Sequence, residues 1–223
     1  MQWKDLLFLH WGLEPAQLQR FIPSGLQIDA FQDRAYLGLV VLRMHNLRPP
    51  FAPSLPWIGS FPQVNLRTYV RDERGDRAVF FLRLETNQPV AAWLARRWFG
   101  LPYHRSSIGH GGSGSDSDSS RVTVGPLEGI RVGRFAWEPR GPEGVAAPGS
   151  LEHFLTERYR LVVYRGRLRT VEIRHLPFSL RQAELHSWDS GPLVRSSLPL
   201  PVGPPASVLT AAETQVEIFG LSR

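Results

Sequence analysis

The chain has no cysteine and a single lysine, Lys4. Without cysteine, disulfides, thiolate nucleophiles and Cys-based zinc sites are excluded together. The lone lysine confines side-chain amine chemistry to one position near the N-terminus. No apolar run approaches the ~18 residues that a membrane-spanning helix needs. Charge blocks are missing as well. Lys and Arg total 26, so 26 − 1 = 25 are arginines, yet they are scattered among Asp and Glu. The densest piece, Arg165-Gly166-Arg167-Leu168-Arg169, is expected at a hairpin turn. A pI of 10.4 leaves non-specific nucleic-acid binding through dispersed arginines only as a secondary alternative, because no basic block or base-reading motif accompanies it.

What is present is a core. Hydrophobic residues make up 42% of the 223 residues and charged residues 21%, the balance of a globular domain. One domain spanning 1–223 is expected. The N-terminal stretch Met1-Gln2-Trp3-Lys4-Asp5-Leu6-Leu7-Phe8-Leu9-His10-Trp11 reads as a first strand and not as an export signal, so the cytoplasm is the expected compartment.

The patterning is strand-rich. Strands are expected at Trp3–Trp11, Leu26–Phe31 and Ala35–Leu47, with a short helix at Glu14–Ile22 that opens on Pro15. Five prolines between Pro49 and Pro62 mark an irregular loop. Val64–Arg71 and Ala78–Glu85 form a hairpin around Asp72-Glu73-Arg74-Gly75-Asp76. Asn87 is the expected N-cap of a helix with Pro89 in its first turn and Val90, Trp93, Leu94 and Trp98 as its apolar positions. Gly100 and Pro102 stop it. The polar low-complexity segment 109–120 is expected to be a mobile loop. Strands resume at Arg121–Val124 and Ile130–Trp137. A helix follows over Leu151–Glu157 capped by Ser150, then a hairpin of Arg158–Tyr164 and Leu168–His175, and a last strand near Gln215–Phe219. About ten strands with two or three short helices predict a mainly β, single antiparallel β-barrel enclosing a cavity.

The segment Gln63-Val64-Asn65-Leu66-Arg67-Thr68-Tyr69 alternates strictly, placing Gln63, Asn65, Arg67 and Tyr69 on one strand face. A row of this kind can hold a carboxylate by charged and amide hydrogen bonds. An outer strand with its polar face in water is the competing reading. The seven histidines offer no metal pattern: His104 and His110 flank the start of the low-complexity segment, and His153 stands alone. No metal or cofactor is expected. Glu152 reads as charge compensation in a helix first turn. There is no phosphate-cradling Gly-rich loop and no Gly-x-Ser-x-Gly elbow.

Four stretches carry a family resemblance: Trp3–Trp11, Phe61–Val70, Leu101-Pro102-Tyr103 and Pro148–Tyr159. Together and in order they closely resemble the uncharacterised YqjF-like family, which is similar to the acetoacetate decarboxylase-like superfamily. The resemblance implies a β-barrel around a central ligand cavity. The decarboxylases carry two lysines after a proline, the first forming a Schiff base with the keto acid. In Arg96-Arg97-Trp98-Phe99-Gly100-Leu101-Pro102-Tyr103-His104 the arginine, glycine and proline keep register, while Tyr103 and His104 replace the lysines. Imine chemistry needs a primary amine, and neither residue supplies one. The expectation is therefore a protein that binds a small, anionic carboxylate or oxo acid through Asn65, Arg67, Arg96, Gln63 and Tyr69. The alternative is a lysine-independent lyase or isomerase using His104 as general acid/base beside Tyr103, with Glu85 as acidic partner.

Overall fold

Leu6 to Leu13 is apolar at nearly every position, the signature of a strand covered on both faces. In the computed structural model, which describes residues 1–47, 59–111, 120–125, 133–188, 198, 201 and 203–222, this stretch lies in β1 (Gln2–Leu13). Asp5, at φ 51, sits where the pairing register shifts between Lys4 and Leu7. A short polar residue tolerates that left-handed conformation, and the bulge re-aims the strand. There follow α1 (Pro15–Gln19), β2 (Gln27–Ile28), β3 (Ala35–His45), β4 (Phe61–Arg71), β5 (Arg77–Thr86), α2 (Pro89–Phe99) and β6 (Tyr103–Arg105). Next come β7 (Ser107–Gly111), β8 (Ser120–Gly125), β9 (Gly133–Val145), α3 (Leu151–Thr156), β10 (Arg160–Tyr164), β11 (Leu168–His175), β12 (Ser179–Ser187) and β13 (Ser207–Ser222).

These strands form one mixed sheet. Its pairings run β1-β3-β4-β5-β10-β11-β13, and β13 returns to pair with β1 over Gln2↔Gln215 to His10↔Ser207, so the path closes on itself. A second branch leaves β13 through β12, β9, β8 and β7. It folds back onto the circuit: Ile108, Phe135 and Trp137 bury one face of β1, β3 and β4 through Leu7, Leu9, Leu37, Leu39, Val64 and Leu66. The opposite face of the same strands, carrying Phe8, Val40 and Leu42, packs against Phe178, Leu180 and Leu209.

The expectation of purely antiparallel pairing is corrected at β5. Both β6 and β10 run parallel to it, at Leu84↔Tyr103 and Leu161↔Val79. The helix α2 between β5 and β6 carries the chain back across the sheet, which is what a parallel neighbour requires. The described residues contain thirteen strands against the ten expected. The three unexpected ones are β6, β7 and β12. The longest, β12, spells Ser-Leu-Arg-Gln-Ala-Glu-Leu-His-Ser and has no strand-forming composition; it is held by β9 and β13 on either side, context overriding propensity.

Helix α2 forms where expected but is capped by Gln88, whose side chain accepts from Val90 N, and not by Asn87. It turns Trp93, Trp98 and Val90 outward and buries Ala91 and Ala92, so the large apolar residues are not its packing face. Gly100 closes it at φ 70. Ser150 caps α3 by accepting from His153 N at 3.1 Å. Residues 109–111 and Ser120 belong to β7 and β8, whereas 112–119 of the expected loop and 48–58 of the proline-rich segment lie outside the described residues. Among the described residues no helix is long and apolar enough to cross a membrane.

Candidate functional site

The polar row of β4 does not face solvent. Gln63, Asn65, Arg67 and Tyr69 are 4%, 3%, 8% and 0% exposed. With Val64 and Leu66 packed under the second branch, strict alternation turns this row to the inside of the strand circuit. Arg67 Nη2 donates to the Leu155 carbonyl at 3.0 Å, one of the acceptors that the end of α3 leaves without an intrahelical partner. Tyr69 OH donates to the same carbonyl at 2.7 Å. The Arg67 guanidinium carbon lies 5.7 Å from the Phe8 ring centroid and 5.6 Å from that of Tyr69, within the range of cation–π attraction.

His10, on β1, completes this cluster. It is fully buried, and its Nε2 lies 2.8 Å from Tyr69 OH. Across the sheet His10 stands opposite Gly38, and Gly38 opposite Arg67. A Cβ placed on Gly38 would come within 3.1 Å of His10 Cδ2 and 3.3 Å of Arg67 Cγ. The missing side chain is the space in which imidazole and guanidinium stem approach each other. Burial, and then the neighbouring Arg67 charge, hold the His10 imidazole well below its ordinary value of 6.5, so it stays neutral.

Three buried polar atoms of this cluster have no hydrogen-bond partner: His10 Nδ1, Asn65 Oδ1 and Arg67 Nε. Nor does Arg67 meet any carboxylate among the described residues. The buried carboxylates are engaged elsewhere. Asp29 accepts from Arg71 and Arg158 at 2.8 Å each. Glu157 accepts from Phe178 N at 3.0 Å, and Glu85 from Arg83 at 2.7 Å and Ser106 at 3.1 Å.

The residues singled out in the sequence divide into two sets. Gln63, Asn65, Arg67 and Tyr69 share the inner face, and Tyr103 joins them by donating to Gln63 Oε1 at 2.6 Å. Burial pushes the Tyr103 phenol far above its ordinary value, which keeps it a donor. The other set is elsewhere. Glu85 pairs in register with Val64, not Arg67, and so lies on the opposite sheet face. His104 follows Tyr103 on the same strand, pairs with Glu85, and is exposed. Its imidazole is lowered by partial burial and then by Arg83. Arg96 is exposed on α2. Strand alternation thus separates Tyr103 from His104. His10, Phe8 and Gly38 were not legible as site residues; the signal was a single histidine inside an otherwise apolar strand.

An open cleft of about 470 Å³ lies outside this cluster, where β10 and β6 part along β5. Phe81, Leu101, Pro102 and Val163 line it, and none of the polar-row residues does. Among the described residues no three His, Asp or Glu side chains gather as metal ligands.

Comparison with known proteins places this geometry. A Bacillus subtilis protein, "Uncharacterized protein YqjF", is 32% identical over 183 residues, covering 82% of this chain and 74% of its own. Among solved structures, the enduracididine biosynthesis enzyme MppR, complexed with the condensation product of pyruvate and imidazole 4-carboxaldehyde, is similar at a TM-score of 0.66 and 15% identity, over 99% of this chain and 87% of that one. An acetoacetate decarboxylase-like enzyme from Sphingomonas wittichii RW1 matches at a TM-score of 0.64 and 12% identity, over 100% and 91%. At these identities the structures speak for the fold alone. The sequence itself matches, over residues 1–215, the DUF2071 family of uncharacterized conserved proteins, and the chain belongs to that family.

Proposed function

We propose that the closed strand circuit is a barrel whose interior binds a small carboxylate, with Arg67 as the anion's counter-charge and Asn65, Gln63 and Tyr69 as neighbours that fix its orientation. One observation carries this reading: Arg67 is a buried guanidinium that faces aromatic rings and a single carbonyl, with its Nε unpartnered and, among the described residues, no carboxylate paired with it. A buried charge is retained where something pairs with it, and a ligand carboxylate matches the planar fork of a guanidinium. MppR, which shares the fold, has been crystallised with pyruvate, and this supports a small acid as the class to test.

Any chemistry at this site proceeds without an imine. Lys4 is on β1, ion-paired with Glu213 at 3.0 Å and partly exposed, while Tyr103 occupies the inward position at which the decarboxylases are expected to carry lysine. The test is thermal-shift screening against short carboxylates and oxo acids, with native mass spectrometry of the untreated protein. Stabilisation by at least one acid is expected, and Arg67→Met is expected to abolish it. If no acid shifts the melting temperature and no anion co-purifies, the reading fails.

A further inference from the structure

The same cluster carries information about the ligand beyond its negative charge, provided that the interior around Arg67 is the anion site. Leu155 O can only accept, so the short contact from Tyr69 places the phenolic proton on that carbonyl. The Tyr69 oxygen is then an acceptor toward His10, and the 2.8 Å contact requires the proton of the imidazole to be on Nε2. A neutral histidine protonated on Nε2 has a bare lone pair on Nδ1. That atom is buried and unpartnered. The cluster therefore lacks two things of opposite kind: an acceptor for Arg67 Nε and a donor for His10 Nδ1.

We propose that the interior site selects a hydroxy acid, a carboxylate whose hydroxyl donates to His10 Nδ1 while its carboxylate accepts from Arg67, in preference to the corresponding oxo acid. An oxo acid has acceptors only and leaves the imidazole lone pair empty. An amino acid would bring a donor, but its ammonium would sit beside Arg67 with every buried described carboxylate already bonded elsewhere. A hydroxyl donates without adding charge. Asn65, whose Oδ1 is also unpartnered, can serve either group because an amide both donates and accepts. Gly38 keeps the imidazole and the guanidinium stem close enough to act on one small molecule.

The experiment compares lactate with pyruvate, which share a carbon skeleton, by calorimetric titration of the full chain. Lactate is expected to bind roughly tenfold more tightly, the factor that satisfying one buried acceptor corresponds to. In His10→Phe that ratio should fall to near unity, and in Arg67→Met both ligands should be lost. Tyr69→Phe, which frees the imidazole to change tautomer, should also narrow the ratio while keeping the ring in place. Nitrogen NMR of the imidazole gives a readout that needs no ligand: Nε2 protonated and Nδ1 bare. Equal affinities for the two acids, or a protonated Nδ1, overturn the hydroxyl preference and leave the anion site standing. Failure of both acids to bind overturns the anion site and the hydroxyl preference with it.

Discussion

Gly38 shows how one absent side chain organises the interior. Its backbone is ordinary, so the glycine is not there for a turn. It is there because a methyl group would sit 3.1 Å from the His10 ring and 3.3 Å from the Arg67 stem, tighter than normal packing. Gly38→Ala should lower stability by about 1–3 kcal/mol, the usual range for overpacking a filled core, and should weaken the thermal shift produced by carboxylates. Urea unfolding with and without acid checks both, and an unchanged midpoint would show that the two side chains are not held together there. Legibility at this scale followed contrast. Gln63, Asn65, Arg67 and Tyr69 stood out because polar residues alternate with Val64, Leu66 and Thr68. His10 did not, because Leu6 to Trp11 is apolar on both faces and hides a lone inward histidine. Continued from the turn, the register running from Arg71↔Arg77 to Arg67↔Phe81 would bring Glu85 opposite Gln63 on the inner face. The bulge between Leu66 and Arg67 moves it opposite Val64 instead, and sequence spacing does not reveal a bulge.

Among the elements, α3 and the residues just after it act as one end of the site. Leu155 O receives Arg67 and Tyr69, and Arg158, three residues on, donates to the Phe154 carbonyl at 2.9 Å and to Asp29 at 2.8 Å. Asp29 also takes Arg71 of β4, so a single buried carboxylate ties the α3–β10 junction to the strand that carries the polar row. Asp29→Ala leaves the Arg158 guanidinium buried without its counter-ion, and breaking such a pair costs about 3–5 kcal/mol. Denaturant unfolding should show a loss of that order; a loss below about 1 kcal/mol would place Asp29 among ordinary surface pairs. The helices were legible by their caps and stops, as Ser150 and Gly100 show. Which face they bury was less so. In α2 the periodic Val90, Trp93 and Trp98 mark a helix, yet the face against the sheet is the one with Ala91 and Ala92, whose small side chains permit close approach. Hydrophobic size and hydrophobic burial part company there.

On the scale of the whole molecule, β1 and β13 join the two ends of the chain, and a circuit closed by its first and last strands was visible in the sequence only as a count of strands. Some of the arginines are accounted for at this scale. Arg34, Arg43, Arg140, Arg160 and Arg174 each lie beside a carboxylate, so part of the positive charge is balanced locally. One further charge is withheld on folding. His10 is neutral in the folded protein because burial and Arg67 lower its proton affinity, whereas in the unfolded chain it returns to its ordinary value of 6.5. Below that pH the unfolded state binds a proton that the folded state refuses, so stability is full above about pH 6.5 and falls as the solution is acidified. The slope has a ceiling of about 1.4 kcal/mol per pH unit for one proton. His45 and His104 are lowered too and add to the same trend, so the contribution of His10 is read by difference. Unfolding free energies measured by urea from about pH 7 to pH 5 should fall less steeply for His10→Gln than for the native chain. Parallel pH profiles would mean that His10 accepts its proton without unfolding, and that the cluster around Arg67 opens to water.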